Sequence, residues 1–142
     1  MKAPAVIRSY RVSDEAGVIA LWGMCGLLRP QNDPHKDIAR KLRVDPAWLL
    51  VAEDGGRVIG AVMAGYEGHR GWINYLAVEA ARQRGGLGRA LMAEAERRLR
   101  AAGCPKINLQ VRPENQAAIA FYERLGFSIE GAISLGKRLE TD

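Results

Sequence analysis

Residues 83–92 read QRGGLGRALM, and no other stretch constrains the fold as strongly. Glycine is the poorest ordinary residue for starting a helix. Yet Gly85, Gly86 and Gly88 stand at the head of an apolar stripe at helical spacing, Leu87, Leu91, Ala95 and Leu99. Just upstream, WINYLAV (72–78) has the composition of a strand. The local unit is therefore strand, glycine turn, helix, which excludes an all-helical or all-β chain. Such glycines serve one of two ends. They let strand and helix pack closely, or they bare the first N–H groups of the helix, which have no intrahelical partner and carry the positive end of its dipole, to an anion.

Two familiar phosphate loops do not fit. A Walker A loop needs lysine and a hydroxyl after its last glycine, and here Arg89-Ala90 follow Gly88. The dinucleotide fingerprint needs a third glycine where Leu91 stands, and the next strand, Asn108 to Arg112, ends without an acidic residue for a ribose.

The rest of the chain alternates in the same way. Val6 to Arg11 reads as a first strand. Asp14 to Leu27 reads as a helix with Val18, Leu21, Trp22 and Cys25 inward and Ser13 as N-cap. Asp33-Pro34 has the N-cap and N1 signature of a second helix running to about Arg43. WLLVAE, DGG and RVIGAVMAGY form a hairpin pattern. The helix after the glycine turn stops at Gly103, and KINLQVR alternates as a half-buried strand. NQAAIAFYERLGF reads as a helix capped by Asn115 and ended by Gly126, and SIEGAISLGKRL as one or two last strands around Gly131. No linker or repeat divides residues 1–142, so a single domain is expected.

Composition narrows the function classes. No apolar run approaches the roughly 20 residues of a membrane span, and Met1 to Tyr10 alternates rather than forming a signal-peptide block, so a cytoplasmic protein is expected. Cys25 and Cys104 lie far apart, without a nearby histidine at ligand spacing. They read as small buried side chains, with no metal site. The net charge of +5 suits a polyanion, either nucleic acid or a small ligand. Arg82, Arg84 and Arg89 bracket the glycines, whereas Glu94/Arg98 and Glu96/Arg100 fall at i,i+4 and read as a solvated helix face.

Gln83-Arg84-Gly85-Gly86-Leu87-Gly88 fits the pattern Gln/Arg-x-x-Gly-x-Gly/Ala. With YLAV upstream and NQAAIAFYERLGF downstream, the chain resembles the GCN5-related N-acetyltransferases, the GNAT superfamily. LLRPQNDP, GYEGHRG and SLGKRL resemble its small bacterial YpeA-type members. In one respect the chain departs from many relatives, in which the Arg-Gly-x-Gly run begins one place earlier; Arg84 still offers a cation and an amide to a diphosphate.

The resemblance implies an α/β (α+β) fold: a central mixed, mostly antiparallel, six- to seven-stranded sheet flanked by about four helices, splayed between the fourth and fifth strands. It implies acetyl-CoA as cosubstrate. Leu76, Ala77 and Val78 would lie along the acetyl and pantetheine arm, Gln83, Arg84, Gly85, Gly86, Leu87, Gly88 and Arg89 at the pyrophosphate, and Asn115 on the pantetheine. Tyr122 would bind the cofactor and act as general acid toward the departing thiolate. Some relatives carry a basic glutamate where this chain has Trp72, so Glu67 becomes the candidate base, with His69 nearby. Arg29, Asn32, Asp33 and His69 are the candidate acceptor contacts, because the loop between the first two helices shapes the acceptor pocket in this architecture.

The expected reaction is N-acetylation of a primary amine of a small molecule, amino acid or protein by direct attack in a ternary complex. The alternative is a catalytically weak acetyl-CoA-binding module. A nucleic-acid binder rests on charge alone, and neither nucleic acid nor membrane is the expected partner. The resemblance leaves monomer and homodimer open.

Overall fold

The computed structural model describes residues 5–142; Met1 to Pro4 of the amino-terminal segment lie outside the described residues. Their elements run β1 (Val6–Ser9), α1 (Glu15–Met24), α2 (Pro34–Val44), β2 (Leu49–Asp54), β3 (Arg57–Tyr66), β4 (Gly71–Val78), α3 (Leu87–Ala101), β5 (Ile107–Leu109) and α4 (Gln116–Arg124). The strands form one sheet in chain order, antiparallel from β1 to β4 and parallel between β4 and β5. The two faces hold separate cores. Leu50, Ile59, Val62, Leu91, Ala95 and Leu99 pack under α3, while Trp22, Leu21, Ile38, Leu49 and Val51 pack under α1 and α2.

Local chemistry explains most boundaries. Asp33 caps α2 by accepting from the His35 N–H at 2.9 Å, and Pro34 occupies the first helical position. Gly55 and Gly56 both take positive φ, as a two-residue hairpin turn requires. Gly103 ends α3 at φ 88. Two expectations fail here. Ser13 is exposed and caps nothing; a short 3-10 turn over Val12–Asp14 precedes α1 instead, with the Asp14 carboxylate accepting from Arg11 N–H at 2.7 Å. Arg98, expected on a solvated face, also donates to the Ala47 carbonyl at 2.6 Å besides pairing with Glu94.

The sheet has five strands among the described residues rather than six or seven. Ser128 to Leu139, expected to supply the last strands, holds no strand. The reason lies in its neighbour. β5 is only three residues long and offers few backbone partners, so the segment meets it through side chains: Lys106 and Asn108 on Glu130, Gln110 on Ser134.

β4 carries the feature that shapes the site. Ala61 faces Ala77 but Met63 faces Asn74, so β4 holds an extra residue opposite β3. Tyr75 sits in that bulge at φ 56, a conformation costing a non-glycine residue about 1–3 kcal/mol. The extra residue reverses the alternation of faces. Ile73, Leu76 and Val78 all pack on the α3 side, while Tyr75 and Ala77 pack on the α1–α2 side. β5 leaves β4 early: the last parallel pair is Ile73 with Leu109, and β4 runs on to Val78 without it. This is the expected splay between the fourth and fifth strands.

Arg8 ties β1 to this frame. Its guanidinium donates to both Asp14 oxygens, at 2.8 and 2.9 Å, and to Glu53 at 2.7 Å, and Asp14 is buried. The Arg8 bond holds the Asp14 carboxyl below its ordinary range. Asp14→Ala, which leaves Arg8 with Glu53 as its remaining carboxylate, is expected to cost about 2 kcal/mol in urea unfolding at neutral pH. Because the folded value is depressed, this contribution is present above the unfolded carboxyl pKa of about 3.9 and is lost as pH falls through the folded value. The gap between wild type and variant should therefore narrow in acid.

Candidate active site

The glycine turn is built as an open rim. A 3-10 turn over Ala80–Arg82 leaves β4, Arg84 and Gly86 adopt left-handed φ of 67° and 85°, and α3 begins at Leu87. The first helical bond is from Ala90 N–H to the Gly86 carbonyl at 2.9 Å. Among the described residues, the N–H groups of Arg84, Gly86, Leu87, Gly88 and Arg89 meet no backbone acceptor. A Cβ on Gly86 would meet nothing within 4 Å, so its face is open. Bare amides at a helix start fit an anion such as a diphosphate. Arg84 and Arg89 are exposed beside them. Arg82 is not available in the same way, since it pairs with Asp54.

Both ends proposed for the glycines are met, by different residues. A Cβ on Gly88 would stand 3.3 Å from Phe121 and 3.7 Å from Val78, so Gly88 permits close packing of β4, α3 and α4. Gly86 serves the open face.

The turn thus brings together the end of β4 and the half-buried face of α4. Leu76, Val78, Leu87, Phe121 and Tyr122 all pack on the α3-side core. The Val78 carbonyl accepts from Gln83 Nε2 at 3.0 Å and from Cys25 Sγ at 3.4 Å, which ties Gln83 to the strand end. Asn115 caps α4, accepting from Ala118 N–H at 3.1 Å.

Tyr122 stands edge-on to Phe121 and Phe127, with ring centroids at 5.1 and 5.7 Å. Burial pushes its phenol up to about 12. It lines a cleft of about 980 Å³ between β5, α4 and the carboxyl-terminal segment; the glycine-turn residues do not line that cleft.

The remaining candidates are scattered. Glu67 lies in the β3–β4 loop, where it accepts from the His69 and Arg70 N–H groups, and the Arg70 bond first of all holds its carboxyl below the ordinary range. Glu67 and His69 precede Gly71, whereas Val78 ends the same eight-residue strand, about 23 Å away at ~3.3 Å per residue. The fold does not bring this pair to the glycine turn. Arg29 folds back onto the Gly26 carbonyl at 2.8 Å. Asn32 and Asp33 meet the carboxyl-terminal segment instead: Arg138 donates to Asn32, and Asp33 N–H donates to Asp142 at 2.9 Å.

One group escaped the sequence reading. Tyr75 stacks on Trp22, with centroids 3.9 Å apart and planes 12° from parallel, and its hydroxyl donates to Asp37 at 2.6 Å. Neither partner stands near it in sequence. Asp37 lies in the first turn of α2.

Comparison with known proteins places this geometry. The family model described as "Acetyltransferase (GNAT) family" matches residues 17–127. An acetyltransferase of Pectobacterium atrosepticum is 49% identical over 136 residues, covering 96% of each chain. Among solved structures, Ard1 from Thermoplasma volcanium superposes with a TM-score of 0.77 at 23% identity, over 91% of this chain and 86% of that one. Glucosamine-6-phosphate N-acetyltransferase from Arabidopsis thaliana gives 0.71 at 22% identity, over 97% and 100%.

Proposed function

The chain belongs to the GNAT acetyltransferase family and is an acyltransferase, and on that premise we propose that it moves the acetyl group of acetyl-CoA to a primary amine by direct attack in a ternary complex. The observation that carries the proposal is the open start of α3. Gly86, Leu87, Gly88 and Arg89 offer unpaired N–H groups beside two exposed arginines, at the end of a strand its neighbour has left.

Each residue has a task that follows from its position. The amides of the turn, with Arg84 and Arg89, would hold the diphosphate, and Gln83 would keep the turn against Val78. Leu76, Ala77 and Val78, on the part of β4 that β5 leaves, would hold the pantetheine and acetyl arm, with Asn115 at the start of α4 as a further contact. Acetyl-CoA supplies an activated acyl carbon. Tyr122 keeps its proton at neutral pH and is the group to protonate the sulfur as it departs. The loop of Arg29, Asn32 and Asp33, with the carboxyl-terminal segment bonded to it, would border the acceptor. An amine similar to a lysine side chain has a pKa near ~10.4, so it arrives charged and must lose a proton before it attacks.

The test is a steady-state measurement of free thiol release from acetyl-CoA over a panel of sugar amines, amino acids, polyamines and peptide N-termini. Thiol release dependent on one acceptor class is the expected result. A thermal shift with acetyl-CoA but no release with any amine would leave a binding module, and neither response would remove the reading.

A further inference from the structure

We infer that Tyr75, backed by Asp37, is the proton relay that deprotonates the acceptor amine. The inference rests on the acetyl-transfer reading above and deepens it, because that reading leaves the base without a well-placed residue. The β4 position where some relatives carry a glutamate is Trp72 here, and Glu67 is committed to its own loop.

The bulge in β4 supplies a polar group on the other side of the sheet. Asn74 and Tyr75 both line an open pocket of about 340 Å³ between β4 and α2, together with Asp37, Lys41 and Met63. Directly downstream of the bulge come Leu76, Ala77 and Val78, the segment assigned to the acetyl arm. Tyr75 is half-buried at the edge of this pocket. The stack on Trp22 fixes the ring, and the 2.6 Å bond to Asp37 fixes the hydroxyl.

The surrounding charges define what this hydroxyl does. From α2 it meets Asp37, which also accepts from Arg40 at 3.4 Å; Lys41 on the same helix is turned to the Ala64 carbonyl. From the carboxyl-terminal segment Asp142 approaches, paired with Arg40 at 2.8 Å and with Arg138 at 3.9 Å, with Glu140 beside Arg40. From α1 the neighbour is the uncharged Trp22. Burial, the bond to Asp37 and the charges of Asp37 and Asp142 all push the Tyr75 phenol up. A tyrosine that stays neutral accepts a proton only while it loses its own. As an N–H bond of the bound ammonium breaks, an O–H bond forms on Tyr75, and the proton Tyr75 held passes to Asp37 Oδ2. Asp37, whose side chain is 24% exposed, then releases that proton to water. No charge is left on the phenol. The same path takes the second proton from the nitrogen of the tetrahedral adduct, after the N–C bond has formed and as the thiolate departs to give the amide.

Tyr75→Phe keeps the ring and removes the relay atom. With an acceptor that the wild type uses, kcat should fall at least 100-fold, while the affinity for acetyl-CoA measured by calorimetry stays within about twofold. The remaining rate should climb with pH in proportion to the free amine, a response a structural defect would not produce. Asp37→Asn should give a similar loss, Asp37→Glu should restore part of it, and the double variant should lose no more than either single one. A second readout needs no turnover. In the free protein, Asp37→Asn removes the acceptor and the charge that hold the Tyr75 proton, so one tyrosine should ionise at lower pH in an alkaline absorbance titration, and Tyr75→Phe should delete that same tyrosine. Wild-type kcat and pH profile in Tyr75→Phe, additive losses in the double variant, or an unmoved titration would each overturn the relay. A wild type that releases no thiol with any amine would overturn the acetyl-transfer reading itself, whereas an active wild type with unimpaired variants removes the relay alone.

Discussion

Gly86→Glu is expected to lower the affinity for acetyl-CoA at least 100-fold. Gly86 sits at φ 85 with open space where a side chain would project, so the carboxylate lands on the face that the unpaired amides present. A negative charge there repels the diphosphate, and a loss of more than about 2.7 kcal/mol follows from two decades in affinity. The left-handed backbone adds a folding cost of about 1–2 kcal/mol for any residue with a Cβ. Gly86→Ala carries that same cost without the charge, and so separates the two effects. Calorimetry should show Gly86→Ala binding within about tenfold of wild type. Equal binding by Gly86→Glu and wild type would mean that the diphosphate lies elsewhere.

Tyr122→Phe is expected to reduce kcat about 100-fold with the acetyl-CoA affinity nearly unchanged. General acids contribute roughly 100- to 10,000-fold. Tyr122 belongs at the lower end, because its phenol is pushed up to about 12 and a thiol ionises near ~8.5, so the proton transfer runs against the intrinsic acidities. The same shift has a stability sign. A folded value above the unfolded ~10 favours the folded state at lower pH and loses that contribution as pH rises from ~10 through the folded value. Tyr122→Phe lacks this titration, so its denaturation midpoint should fall less steeply across that alkaline window. Pre-steady-state thiol release checks the first effect, and chemical denaturation the second. An unchanged kcat would remove the acid role and leave Tyr122 as packing between Phe121 and Phe127.

Much of the site was legible because its signals are local. Asp33-Pro34, Gly103 and Asn115 mark helix ends through bonds to residues within four positions, and each stands where that chemistry predicts. The glycine turn was legible for the same reason, since left-handed backbone and bare amides are properties of a few consecutive residues. The carboxyl-terminal strands were misread because alternation says only that a segment fits a sheet; pairing requires a partner of sufficient length, and β5 stops at Leu109. Glu67, the candidate base, joins β4 at its Gly71 end, which sequence proximity to the strand did not decide.

The chain's sequence by itself determined the alternating plan, the open start of α3 and the family, since each depends on neighbours along the backbone or on motifs read in order. Only the tertiary structure decided which side of β4 each residue faces. One extra residue opposite β3 reverses the alternation and turns Tyr75 toward α2, where Trp22 and Asp37, 53 and 38 positions away in the chain, hold its ring and its hydroxyl. A bulge is set by the register between two strands, and register is an energy of paired side chains across the sheet rather than a property of either strand alone.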